Sequence, residues 1–344
     1  MNTLTELKFL KKNKYLINPK LLQVEITDIC PLHCKQCYKD LKRQGEMSYE
    51  KILQIINEAK SIGVKKIVLN GGEPLLHSRI IDIIWRISEA DIIPVCFTSG
   101  YGINTIFLKK LEGTKVEFLL SLNGSNKYIH NKSRDGFDIT MKAIDLLFKL
   151  DIKYSINWVA RHDNVKDLIN MINLAKRFKA FKINIVANKL TSYGEINSEL
   201  TKSDYELVRE VIKKNDNDKY ITIQNCYNIL GAFCFDGNVP KMTGCNAGKT
   251  FCAITKKGEF LPCTHLYHRE AFENIQDYWK NSKVLYKLRN NSNDNSSLCN
   301  KCLYKNRCRP CRAMNKELHD NLSLPIKNCL LFQGKYGGEK SNEL

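Results

Sequence analysis

From residue 21 to residue 187 the chain alternates between two hydrophobic periods. Short apolar runs at 21–27, 64–69, 92–97, 116–122, 152–159 and 181–187 predict six buried strands. Between them, segments at 48–62, 78–90, 104–111, 136–149 and 165–178 carry apolar residues every three or four positions and predict helices. In the first of these, Ile52, Ile55, Ile56 and Ala59 form one stripe, Ser48 is the N-cap and Gly63 the stop. Strands that alternate with helices imply right-handed crossovers and parallel pairing, with active residues at the C-terminal ends of the strands. The expected architecture is α/β: a partial (β/α)6 TIM-like barrel over 21–187, followed by a small cysteine-rich domain.

Outside that stretch the periodicity fades. Residues 1–20 read as a polar, basic lead-in. A helix at 202–215 and a short strand at 220–224 sit in an otherwise irregular linking region, 188–244. From 245 to 333 long periodic elements are few and cysteines many, the pattern of a domain held by metal more than by a core. Residues 290–297 form a polar loop within it, and 334–344 read as a disordered tail.

Composition narrows the function classes. The length of 344 residues allows about two domains. The formal charge is +18, from 54 basic and 36 acidic residues, but the lysines are dispersed among asparagines and isoleucines. That dispersal argues against a nucleic-acid footprint, and no apolar run is long enough for a membrane span or a signal core. A cytoplasmic protein is expected. Fourteen cysteines in such a chain point to metal or redox chemistry more than to disulfides.

Three of them, Cys30, Cys34 and Cys37, follow the first strand at offsets of four and three residues, so their thiols converge on one point. The same spacing would suit an apolar helix face, but Pro31, His33 and Lys35 interrupt any such face. Three thiolates can hold three irons of a four-iron cluster and leave the fourth open for a small molecule. One βα unit later the second strand runs into Asn70-Gly71-Gly72-Glu73-Pro74, a glycine turn with an acidic residue beside it.

Together these motifs resemble the radical S-adenosylmethionine (SAM) superfamily. The resemblance implies that Cys30, Cys34 and Cys37 hold a [4Fe-4S] cluster that cleaves SAM, with Gly71, Gly72 and Glu73 cradling SAM's amino acid moiety. It also implies that Ser121 and Arg134, in the segment Ser121-Leu122-Asn123-Gly124 to Arg134, approach the ribose and carboxylate. The chain departs from the family pattern at Asn123, where aspartate is usual, and at Gln36, where many members carry an aromatic residue. Tyr38 is the neighbouring candidate to cover the adenine.

The later cysteines resemble the SPASM domain of radical SAM peptide-modifying enzymes, which binds two auxiliary [4Fe-4S] clusters. Carried over, that scheme assigns one cluster to Cys245, Cys252, Cys263 and Cys311 and the other to Cys299, Cys302, Cys308 and Cys329. The last short gap holds two residues, Arg309-Pro310, against three in the family pattern. Judged alone, Cys299-x2-Cys302 with Cys308-x2-Cys311 also fits a tetrahedral zinc site. Cys96, Cys226 and Cys234 remain over.

The resemblance implies an enzyme that abstracts hydrogen from a residue of a ribosomally made peptide, leading to a crosslink, a thioether or epimerisation. The implied partners are a precursor peptide, in which the basic surface favours an acidic leader, and an electron donor such as flavodoxin or ferredoxin. A sulfatase-type maturase, a tetrapyrrole-modifying radical SAM enzyme and a zinc or nucleic-acid-binding protein are the alternatives. Sulfatase maturases carry an aspartate directly after the cysteine that follows the domain's glycine, positions held here by Cys263 and Gly258. Here Thr264 and then His265 stand there, which makes His265 the candidate base. Epimerisation needs a hydrogen donor, often a cysteine thiol, for which Cys226 and Cys234 are the candidates.

Overall fold

A computed structural model describes residues 15–39, 44–189, 198–215, 220–224, 244–290 and 311–313. Its strands are β1 (Leu21–Thr27), β2 (Lys66–Gly71), β3 (Ile93–Thr98), β4 (Glu117–Ser121), β5 (Tyr154–Ala160), β6 (Ile183–Ala187), β7 (Ile221–Ile223), β8 (Phe251–Ile254) and β9 (Phe260–Leu261). They form one sheet in the order β7-β6-β5-β4-β3-β2-β1-β8-β9. Neighbours from β7 to β8 are all parallel, and only the β8–β9 pair is antiparallel. This is the α/β partial barrel the periodicity predicts, with β7 continuing the parallel order beyond the six expected strands.

The helices are α1 (Tyr49–Ser61), α2 (Ile80–Glu89), α3 (Thr105–Lys109), α4 (Lys127–Asn131), α5 (Phe137–Lys149), α6 (Leu168–Arg177), α7 (Lys202–Asn215), α8 (Ile275–Asn281) and α9 (Lys283–Asn290). The Ser48 side chain caps α1 by accepting from the Lys51 amide. Asn104, Asn126 and Asn274 cap α3, α4 and α8 in the same way, so some of the abundant asparagine has a structural use. Each long helix presses an aliphatic stripe on the sheet: Ile83, Ile84 and Ile87 of α2 and Met171, Ile172 and Ala175 of α6 are wholly buried. At roughly 1.5–3 kcal/mol per large side chain, this layer carries much of the stability. No helix among the described residues is long and apolar enough to cross a membrane.

β2 starts two residues later than its apolar run, because Lys20 O takes both the Lys65 and Lys66 amides and the paired register begins at Leu21↔Lys66. The hairpin β8–β9 and the helices α8 and α9 are too short to show a period. Their placement bears on the site, because β8 lies parallel to β1 and residues 244–290 thereby join the barrel's own sheet. The lead-in belongs to the same joint: Leu16 N bonds Lys249 O at 2.8 Å, Lys20 N bonds Thr250 O at 2.8 Å, and Trp279 Nε1 donates to Leu16 O at 2.9 Å. Lys256, in the turn of the hairpin, pairs with Asp28 at 2.9 Å, beside the first cysteine loop.

Candidate active site

The strands β1 to β8 all contribute to the wall of one cavity of about 650 Å³, which opens among the C-terminal strand ends. Cys30, Cys34 and Cys37 line it. Their loop leaves β1 at Thr27 and is fastened twice. The Thr27 hydroxyl accepts from Ile29 N, and Cys37 N closes a turn onto Cys34 O. His33 N donates to Asp135 Oδ2 at 2.7 Å and Gln36 N to Ser133 O at 3.2 Å, so the loop rests on the segment after β4 that contains Arg134. Burial and the neighbouring Glu73, Cys34 and Cys37 push the Cys30 thiol up to about 11, against a bond from Leu32 N–H that pulls the other way.

The glycine turn locks onto this loop backbone to backbone. Gly72 N donates to Thr27 O at 2.7 Å and Glu73 N to Ile29 O at 2.8 Å. Gly71 has φ +130°, and a Cβ on it would stand 2.1 Å from Thr27 O; on Gly72 it would stand 2.3 Å from Ile29 O. Both glycines are therefore required by the approach of β2 to the cysteine loop, in addition to any approach to a ligand.

Glu73 is buried, and four donors meet its carboxylate: Thr98 Oγ1 and Leu75 N at one oxygen, Ser99 N and Ser99 Oγ at the other. Burial still raises its pKa above the usual range against those bonds. Thr98 and Ser99 are site residues that motif reading passes over. Their signal is position alone, at the C-terminal end of β3.

On the β4 side, Ser121, Asn123 and Arg134 line the cavity. The two departures from the family pattern turn out to be partners. Asn123 Nδ2 donates to Gln36 Oε1 and to Ser133 Oγ, each at 2.8 Å, and Asn123 Oδ1 accepts from Val159 N. An aspartate at 123 has no such donor, so a glutamine on the loop and an asparagine on the strand form one joint. His130 braces it as a neutral ring: Nδ1 faces Asn123 N at 3.3 Å and Nε2 faces Asp135 O at 3.2 Å, which sets the proton on Nε2. Burial first, then Arg134, lowers its pKa to about 4.

Across the cavity stand Cys245, Cys263 and Cys311. Burial raises the pKa of the Cys245 and Cys263 thiols, Cys263 to about 12, and Cys263 is near enough to feel both Cys245 and Cys311. Cys252, expected as the fourth member, is also buried but is not part of the cavity wall; it sits on the other face of β8. His265 and Tyr38 join the two sides, with ring centroids 4.1 Å apart. Tyr38 thus has a histidine on its face. Lys189 Nζ and Thr264 Oγ1 lie 3.4 and 3.3 Å from His265 Nδ1, and burial with the Lys189 charge holds its pKa well below the usual histidine range. His265 is neutral at pH 7, with Nδ1 as the acceptor. Cys96, left over in the sequence, is a wholly buried core thiol of β3. Cys226, Cys234, Cys299, Cys302, Cys308 and Cys329 lie outside the described residues.

Several buried polar atoms around the cavity lack a partner. Asn70 Oδ1 and Arg134 Nε flank the Cys30 loop side, and Asn188 Nδ2 and Gln224 Oε1 lie at the β6–β7 side. An unsatisfied buried acceptor and an unsatisfied guanidinium N–H suit a ligand bearing an ammonium and a carboxylate, and three thiols beside them suit an iron–sulfur cluster with one open position. The residues present therefore fit SAM on a cluster at Cys30, Cys34 and Cys37. Among the described residues no three His, Cys, Asp or Glu side chains are grouped to hold a single metal ion.

Residues 24–175 match the family model of the Radical SAM superfamily. The chain is 25% identical over 323 residues to the AdoMet-dependent heme synthase of Methanosarcina barkeri, covering 86% of this chain and 91% of that protein. It is 24% identical over 296 residues to the PqqA peptide cyclase of Granulibacter bethesdensis, covering 79% and 76%. Streptococcus suis SuiB shares the fold. The structure with S-adenosylmethionine gives a TM-score of 0.78 at 18% identity, and the one with precursor peptide SuiA gives 0.77 at 19%; they cover 94% of this chain and 80% and 79% of theirs. The stretch that forms the barrel is thus similar to radical SAM proteins.

Proposed function

We propose that this chain is a radical SAM enzyme that modifies a ribosomally made peptide, with SAM at the Cys30 loop and the peptide between that loop and the Cys245–Cys263–Cys311 wall. The observation that carries the reading is the character of the shared cavity. Asn157, Asn184 and Asn188 present amides along β5, β6 and just beyond it, with Asn188 Nδ2 and Gln224 Oε1 as an unsatisfied donor and an unsatisfied acceptor. A peptide backbone offers the complementary acceptor and donor at every residue. The PqqA peptide cyclase relative and the SuiB structure with its precursor peptide support the same substrate class.

Cys30, Cys34 and Cys37 would hold the catalytic [4Fe-4S] cluster, and Arg134, Asn70 and Ser121 would take SAM's polar groups, with the Glu73 carboxylate, its oxygens held by four protein donors, adding negative charge for the ammonium. When bound, the cluster and SAM supply an electron and a 5′-deoxyadenosyl radical that abstracts a substrate hydrogen. The chain's part is to orient SAM, keep water away from the radical within the barrel, and hold the peptide in reach. Cys245, Cys263 and Cys311 would hold an auxiliary cluster of the SPASM type, and Cys299, Cys302, Cys308 and Cys329 a second. His265, neutral and within the cavity, is placed to accept a proton from a substrate group, although Lys189 and Thr264 compete for its Nδ1. Flavodoxin or ferredoxin would deliver the electron.

The heme synthase relative supports a second reading, a tetrapyrrole substrate. One experiment separates the two. Anaerobic protein, SAM and dithionite are incubated with the peptide encoded by a short neighbouring reading frame, with a sulfatase-type Cys/Ser motif peptide, or with a porphyrin. A mass change in the neighbouring peptide alone supports the proposal. Turnover of the porphyrin or the motif peptide alone overturns it.

A further inference from the structure

A polar rung crosses the cavity wall from β4 to β7. Strand register sets Ser121 beside Asn157, Asn157 beside Asn184, and Asn184 beside Thr222. Cross-strand neighbours share a face, and all four line the cavity. Along the strands the rung is flanked by Leu119 on one side and by Val159 and Val186 on the other. The rung runs in one direction. The Thr222 hydroxyl donates to Asn184 Oδ1, and Asn184 Nδ2 donates to Asn157 Oδ1 at 3.0 Å. Turning both amides over would set Asn184 Nδ2 against Thr222 and leave the hydroxyl proton only Ile183 O, 3.5 Å away. A good O–H···O bond is about 2.5–3.0 Å, and a hydroxyl has one proton to give, so the observed sense is the favoured one. With its oxygen engaged by Asn184, Asn157 keeps its Nδ2 for the β4 side of the cavity, where Ser121 and Arg134 also stand.

We propose that Asn184 and Thr222 are positioning residues for SAM: they hold the Asn157 amide with Nδ2 toward the SAM end of the cavity, where it donates to an oxygen of SAM. This rests on the SAM reading above. A carboxamide has nearly the same shape either way round, so packing alone does not choose its sense. Turned over, it would meet an acceptor with an acceptor, and a hydrogen bond would become a repulsion. The choice is made by the donor at Thr222, two strands from Asn157. Asn184 has its oxygen and one amide hydrogen engaged within the wall, whereas Asn188 and Gln224 keep unsatisfied polar atoms for a peptide. The rung thus divides the amides of the cavity between the two ligands.

The test measures SAM binding by calorimetry on anaerobically reconstituted protein, with iron content alongside. In N184D, residue 184 has no amide donor. Thr222 bonds one carboxylate oxygen, the other draws Asn157 Nδ2 round to itself, and Asn157 Oδ1 is presented to SAM. SAM affinity should fall by about 10- to 100-fold with iron unchanged. SAM is a sulfonium cation, so the added carboxylate by itself would favour binding, and the loss reports the amide. In an N157A background the same N184D change should alter affinity by less than about twofold, because no amide is left to turn. T222V keeps the shape and removes the donor. It lets the amide populate both senses and should weaken SAM about twofold, while T222S should bind as the wild type does. Equal losses from N184D in both backgrounds, an N157A protein that binds SAM like the wild type, or identical affinities of T222V and T222S each overturn the proposal. If N184D does not fold, the T222V and T222S pair decides. Wild-type protein that holds its iron and binds no SAM overturns the SAM reading itself, a separate outcome.

Discussion

The two thiol trios that face the cavity are built in opposite ways. Cys30, Cys34 and Cys37 lie on one loop, partly exposed, and are brought together by their spacing and by bonds to the backbone of Gly72, Glu73 and Ser133 and to the Asp135 side chain. Cys245, Cys263 and Cys311 come from three separate segments, two of them buried, and meet only because the β8–β9 hairpin joins the sheet at β1. On a loop, offsets in sequence translate directly into a shared focus. Across strands they do not, because alternation puts neighbouring residues on opposite faces, and Cys252 is one residue from the cavity face.

If the two trios are independent, changes at one should spare the other. The largest effect is expected from C34A/C37A, which should lose about four irons on anaerobic reconstitution while the remaining iron persists by elemental analysis. Loss of all iron would mean that the trios depend on each other.

A smaller effect should come from pH. His130 has its pKa lowered from 6.5 to about 4. Below pH 6.5 the unfolded chain binds a proton that the folded chain refuses, so stability is intact above pH 6.5 and is lost as pH falls towards 4. The full loss is about 3 kcal/mol, at about 1.4 kcal/mol per pH unit. His265 acts in the same direction. Urea titrations of the metal-free protein should show this slope, and H130N should flatten it in part; an unchanged slope would place the proton elsewhere.

Arg134 should act on SAM alone. Losing a hydrogen bond to a charged group costs about 1.5–3 kcal/mol, so R134A should weaken SAM binding by about 10- to 100-fold in calorimetry without loss of iron. G72A crowds Ile29 O and should cost about 1–3 kcal/mol in thermal unfolding, with the Cys30 loop displaced. The smallest effect is the Gln36–Asn123 bond. A double-mutant cycle of Q36A and N123A should give a coupling of about 0.5–1.5 kcal/mol in urea unfolding, and a coupling of zero would remove the joint between loop and strand.

The sequence made the barrel legible because its strands and helices are long enough to show their periods, and it made the Cys30 site legible because the ligands and their turn are local. What stayed hidden was non-local. Thr98 and Ser99 reach Glu73 from another strand end, and Gln36 and Asn123 look like two unrelated departures until the fold makes them partners. The β8 register, which takes Cys252 away from the cavity, depends on a four-residue strand pairing with one more than two hundred residues earlier, and no local pattern encodes that.

The division of labour between the trios is tested most directly by measuring 5′-deoxyadenosine after incubation with SAM and dithionite, in C34A/C37A and in C263A. C263A should continue to cleave SAM, and C34A/C37A should fall to the uncatalysed background. Cleavage retained by C34A/C37A, or abolished by C263A in a protein that still holds its Cys30-loop iron, would contradict the account.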